Sequence, residues 1–180
     1  MIRAWDPDTF PPAECILTIM TLAAVPRGLA TRLSAFLVGG ITVGAGAVPD
    51  LPGFENLRNV DLPLQAGTWD RSPGVYDPAR RRIGVGSAPS PSISVAAHEL
   101  GHAVDDLDGH PSQSTFWISL HDLLASALIP PFQESVREWY AEAFACVLTR
   151  RARQLVRLMG DDESAAQQAY QWFARRYGIG

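Results

Sequence analysis

The sequence contains no lysine and only two cysteines, and it carries no long uncharged apolar stretch. All 15 basic residues are Arg, which reads as codon bias and carries no functional meaning. Cys15 and Cys146 are too few for a disulfide framework. Neither has the spacing of a metal ligand, and Cys146 falls on the apolar pattern of a helix as a small buried residue. The apolar run from Cys15 to Val25 covers eleven residues and includes Thr18 and Thr21, too short to span a membrane. It is preceded by Met-Ile-Arg-Ala-Trp-Asp-Pro-Asp, a poor signal peptide. The sequence therefore points to no export route or membrane span, and it leaves compartment and oligomeric state open. Positive charge is scarce overall: a net charge of −4 gives no general footprint for nucleic acid. Charged residues make up only 19% against 47% hydrophobic, which excludes a disordered chain.

What the chain does have is enough length, 180 residues, for one domain with a real core. Residues 1–12 are rich in Pro and Asp and read as an extended arm. Ala13 to Ala24 fit a short apolar helix stopped by Pro26, and Arg27 to Leu37 a second, with Leu29, Leu33, Phe36 and Leu37 at helical spacing. Ile41-Thr42-Val43 reads as a strand. Residues 44–74 form a Gly- and Pro-rich connection, with a strand near Val60 to Leu64. Val75-Tyr76 and Arg82 to Val85 read as strands joined by the turn Asp77-Pro78-Ala79-Arg80. A Ser- and Pro-rich loop, Ser87 to Ser94, leads into a helix from Ile93 to Leu107 that Gly109 ends. Ser114 caps a helix from Thr115 to Ala127, which Pro130-Pro131 break. Ser135 to Met159 is the longest helical pattern. Asp161-Asp162-Glu163 open a last helix that ends near Tyr177-Gly178. This predicts an α+β fold, mainly helical. An N-terminal arm and short helix occupy residues 1–24, and a single globular domain occupies residues 25–180.

Within the third helix lies His98-Glu99-Leu100-Gly101-His102. His98 and His102 are one turn apart on the same helix face, an arrangement in which two imidazoles grip one metal ion, usually zinc. Glu99 points about a quarter-turn away, beside the ion and not toward it. There a carboxylate can take the proton of a water that zinc has acidified toward a pKa of ~7, as that water attacks a carbonyl. Eight acids fall between Glu99 and Glu142 against the single base Arg137. An acidic zone around paired histidines suits a cation site, and a basic substrate as well. The strand Arg82 to Val85, just ahead of this helix, is either a cleft rim that pairs with an extended substrate or the inner strand of a hairpin.

A catalytic zinc takes three protein ligands plus water, so one is missing. Asp108, six residues after His102, stands where short zinc peptidases place it, but Asp105 fills the place of their turn-forming Gly. His121 would be a third nitrogen. Glu134, Glu138 and Glu142 recur at four-residue spacing on one helix face. There one carboxylate can bind the ion while the next accepts the second N–H of a ligating imidazole.

HELGHAVDD at 98–106 followed by EWYAEAF at 138–144 resembles the catalytic domain of anthrax lethal factor and its relatives, including the Pro-Pro endopeptidases, which are gluzincin-type zinc metallopeptidases. The resemblance extends over roughly residues 25–150. It implies a zincin-like domain whose small sheet borders the metal helix and whose second helix bears a ligand. It implies Zn²⁺ held by His98, His102 and Glu138, with Glu99 as general base and Glu142 behind the ligands. The partner it implies is a protein or peptide substrate. The family commonly carries a Tyr seven residues before the ligating Glu, thought to stabilise the oxyanion. Here that position is Pro131, and His110, His121 and Tyr76 are the donors that could replace it. Three functions follow: a zinc endopeptidase, a hydrolase of another amide, or a zinc-binding domain that is weakly active or inactive and captures a protein partner.

Overall fold

A computed structural model describes residues 1–6, 8–62, 67–130 and 132–180. The fold is α+β and mainly helical. Strand β1 (Ile2–Ala4) is followed by helices α1 (Ala13–Ala23) and α2 (Arg27–Phe36), then by strands β2 (Gly40–Gly44), β3 (Gly74–Asp77) and β4 (Arg82–Val85). Five helices complete the chain: α3 (Val95–Leu107), α4 (Thr115–Leu124), α5 (Val136–Leu148), α6 (Ala152–Leu158) and α7 (Glu163–Tyr177). The sheet runs in the order β1-β2-β4-β3. β1, β2 and β4 are parallel, while β3 folds back antiparallel on β4 as an edge strand. Between β2 and β3, Val48, Leu51 and Phe54 are fully buried with Val75 in a small second cluster beneath the sheet.

The structure corrects several local expectations. The extended arm contributes β1, whose parallel pairing with β2 no local pattern announces. The single long helix from Ser135 to Met159 is two helices, α5 and α6. The chain breaks at Arg150, which takes a left-handed conformation at φ 57°. The Arg151 N–H reaches back to the Cys146 carbonyl at 2.8 Å, closing the turn that ends α5. No Gly or Pro marks that turn, so apolar periodicity ran straight through it. α4 stops at Leu124, three residues early. α3 starts at Val95 with Ser94 as its cap, its side chain accepting the Ala97 N–H. β4 is an interior strand with partners on both sides, so it is the hairpin reading that holds; the edges are β1 on one side and, beyond β4, β3 on the other. The strand proposed near Val60 to Leu64 falls partly on residues outside those described, and what is seen there is an isolated bridge between Asp61 and Thr68.

The main core sits where α3 and α5 pack against each other and against α4 and α7. Trp117, Trp139, Tyr140 and Phe173 are fully buried, with Trp117 ring centroids 5.1–5.4 Å from the other three. Trp139 donates its indole N–H to the Leu158 carbonyl at 3.0 Å, satisfying the polar atom that burial would otherwise strand. α5 is buried from Trp139 through Leu148, because α3 covers one side and the aromatic cluster the other. α3 meets α5 through small residues. A Cβ built on Gly101 would lie 2.8 Å from the Ala141 Cα, closer than real Cβ atoms come. No single helix among the described residues is long and apolar enough to cross a membrane.

Gly101→Ala forces that crossing apart. It is expected to cost about 1–3 kcal/mol, the range for overpacking a close-packed contact, read as a lower denaturation midpoint at unchanged slope.

Candidate metal centre

Two serine-capped helices build the site. Ser94 starts α3, which carries His98, half-buried, and His102, buried, one turn apart; Ser135 starts α5, its side chain accepting the Glu138 N–H at 3.2 Å. The close crossing at Gly101 and Ala141 brings the two faces together. His98 Nε2 lies 3.1 Å from His102 Nε2 and 3.2 Å from Glu138 Oε2, and His102 Nε2 lies 3.4 Å from Glu138 Oε1. The three residues form the one group of three or more potential metal donors among the described residues.

That triangle fits zinc. Ligand atoms ~2.0–2.1 Å from a tetrahedral ion lie ~3.3 Å apart. Here the two imidazole nitrogens are 3.1 Å apart, each lies 3.2–3.4 Å from one oxygen of the Glu138 carboxylate, and one donor atom from each residue lies within 4.8 Å of the others. Two imidazole nitrogens and a carboxylate oxygen are also the donor types of catalytic zinc sites. Glu142, one turn beyond Glu138, accepts the His98 Nδ1–H at 2.9 Å. It is itself fixed by the Ser92 hydroxyl at 2.7 Å and the Ile93 N–H at 2.9 Å. The Nδ1 proton is thereby held on His98 and its Nε2 lone pair is directed into the triangle. His102 Nδ1 is buried with no partner among the described residues, so the two imidazoles are held unequally.

The electrostatics follow from burial and pairing. Burial alone would lower the His98 pKa, but its hydrogen bonds to Glu138 and Glu142, with the charges of Glu99 and Glu142, push it up to about 10. Burial would raise Glu138 and Glu142, yet hydrogen bonds from the histidines hold both below the usual carboxylate range. Glu99 goes the other way. Burial lifts its carboxyl above the ordinary value, against the pull of His98, His102 and the Tyr76 backbone N–H. Gly74 on β3 makes room for it: a Cβ there would sit 2.7 Å from Glu99 Oε1.

The other sequence candidates lie elsewhere. Asp108 caps the end of α3, where it pairs with Arg32 and Arg176 and accepts the Tyr177 hydroxyl at 3.0 Å. His121 is buried against Trp139, with Nε2 2.8 Å from the Phe132 carbonyl oxygen. His110 sits in a left-handed turn near Asp105 and Asp106. Tyr76 donates its hydroxyl to Asp106 at 2.5 Å. Pro131 lies outside the described residues. Sequence reasoning missed Ser92, Ile93 and Gly74; the run of serines before α3 was the only trace of the first two.

No family model matches the sequence, and no curated protein does. Among solved structures, the fold is similar to that of a Pro-Pro endopeptidase from Paenibacillus alvei, with a TM-score of 0.74 over 97% of this chain and 96% of that one at 21% identity. The likeness is one of fold.

In the metal-free protein the carboxylates around His98 favour its charged form, and an imidazole must be neutral to bind a metal. Zinc uptake is expected to release a proton from His98, and the apparent affinity to rise as pH climbs toward about 10. Titration calorimetry in buffers of differing ionisation enthalpy reads that proton; an enthalpy independent of buffer contradicts it.

Proposed function

We propose that this chain is a zinc-dependent endopeptidase of the gluzincin type. In this reading His98, His102 and Glu138 hold the ion, Glu99 is the general base, and Glu142 orients His98. One observation carries it: two imidazoles and a carboxylate offer donor atoms within 4.8 Å of one another, close enough to share one ion, with the buried carboxylate of Glu99 on the same helix as the imidazoles. Zinc at that triangle would supply Lewis acidity, polarising the scissile carbonyl and acidifying the attacking water. Glu99 accepts that water's proton and returns it to the departing amine. A carboxyl raised by burial suits a base working near neutral pH. Glu142, fixed by Ser92 and Ile93, keeps His98 in the tautomer that ligation needs.

The free edge of β3 supports an extended peptide as substrate, added as a further strand. At Gly74 this edge abuts Glu99, so a peptide paired along it passes beside the base. The fold neighbour is a Pro-Pro endopeptidase, which makes peptides with consecutive prolines the first to test. The relation to the lethal factor catalytic domain rests on the motifs at 98–106 and 138–144 alone; the fold likeness is to the Pro-Pro endopeptidase.

Glu99→Gln is expected to keep zinc and fold and to lose ~10²–10⁴ in cleavage rate, measured on pooled peptides with and without chelator. Glu138→Gln is expected to weaken zinc affinity far more than Asp108→Asn, because Asp108 is engaged by Arg32 and Arg176. A wild type that holds zinc, cuts nothing, and captures a protein partner equally well with Glu or Gln at position 99 would make this a binding module.

A further inference from the structure

Arg137, immediately before Glu138 on α5, is the single basic residue between Glu99 and Glu142. Its side chain crosses from α5 toward α3. Nε is buried, without a hydrogen-bond partner among the described residues, and lies 3.8 Å from Asp105 Oδ2. The guanidinium is also near enough to the Tyr76 hydroxyl on β3 to bear on its ionisation. Arg137 therefore occupies the space between α5, α3 and the edge strand, about one helical turn beyond His102. Of its side chain, 38% stays exposed.

Both neighbouring acids are already engaged. Asp105, almost wholly buried, accepts the Ser112 N–H at 2.8 Å and the Ser112 hydroxyl at 2.9 Å. Asp106 accepts the Tyr76 hydroxyl. His110, half exposed, stands 3.6 Å from each of them. The charge of Arg137 is thus met by one carboxylate, Asp105, which Ser112 already engages, while its five N–H donors make no hydrogen bond to any described residue. An arginine with balanced charge and free donors suits a neutral acceptor. A second carboxylate brought to it would be repelled by Asp105.

We propose that Arg137 is a substrate-binding residue. Its guanidinium donates to a main-chain carbonyl of a peptide lying along β3, on the side of the metal centre marked by Asp106. Asp105, locked by Ser112, is the positioning residue behind it. The identity of the ligand as a peptide rests on the peptidase reading above.

Two measurements keep the inference and that reading apart. Cleavage of acetylated, amidated peptides by the zinc-loaded wild type, with and without chelator, tests the peptidase. Equilibrium binding of the same peptides to zinc-loaded Glu99→Gln, alone and combined with Arg137→Met or Arg137→Lys, tests the inference. Arg137→Met is expected to weaken binding about 10-fold, the size of a hydrogen bond to a charged donor. Arg137→Lys should recover part of it, with zinc content and thermal midpoint retained. In the active protein the loss falls on KM more than on kcat. Converting the contacted amide to an ester, a poorer acceptor, should weaken binding to the arginine protein and leave Arg137→Met unaffected. If Arg137→Met does not fold, Arg137→Lys with the ester series carries the test. Cleavage with binding indifferent to position 137 overturns the inference and leaves the peptidase standing. Arg137-dependent capture without cleavage supports the inference and overturns the peptidase. A loss confined to acidic peptides overturns the assignment to a carbonyl, and a protein that binds no peptide overturns both.

Discussion

The close crossing of α3 and α5 at Gly101 and Ala141 sets the geometry on which the rest of this molecule depends. The donor triangle draws two corners from α3 and one from α5, so its edges of 3.1–3.4 Å are a readout of the distance between two helix axes. Small residues make that distance short on the inner face. The aromatic cluster of Trp117, Trp139, Tyr140 and Phe173 presses α5 from behind. Close packing transmits any change in that pressure to the donors, because interiors of this density have little slack.

The carboxylates are sorted by what each faces. Glu138 and Glu142 sit against imidazoles and are held in the charged form. Glu99, one residue from His98, faces Gly74 of β3 and is pushed toward the neutral form by burial. Three acids within one buried site are thereby given different proton affinities by hydrogen bonding and burial alone. Asp108, a few residues on, is taken out of the site by two arginines that close the end of α3 against α2 and α7.

Much of the site was legible because its signals are local. His98, Glu99 and His102 share a helix face by spacing, and Ser94 and Asp162 announce their helices by capping. Glu138 and Glu142 share a face for the same reason, but only the fold brings that face to His98. What stayed hidden depends on partners distant in sequence. β1 is a strand because β2 lies beside it, not because of its own three residues. Whether β4 or β3 forms the free edge is decided by the parallel partner β2, which no hairpin pattern encodes. The break at Arg150 was invisible because a left-handed arginine is rare, and the apolar spacing of α5 and α6 continues across it.

The hydrogen bond that ties His98 to Glu138 spans 40 residues, and the one to Glu142 spans 44. During synthesis the paired histidines leave the ribosome well before the helix that completes their triangle. Until α5 docks, the nascent chain offers only two imidazoles one turn apart, on a helix whose small residues have nothing to pack against. The donor set is therefore a product of tertiary folding and exists only once the core has closed. A chain that stalls or is cut before α5 retains the motif and lacks the centre.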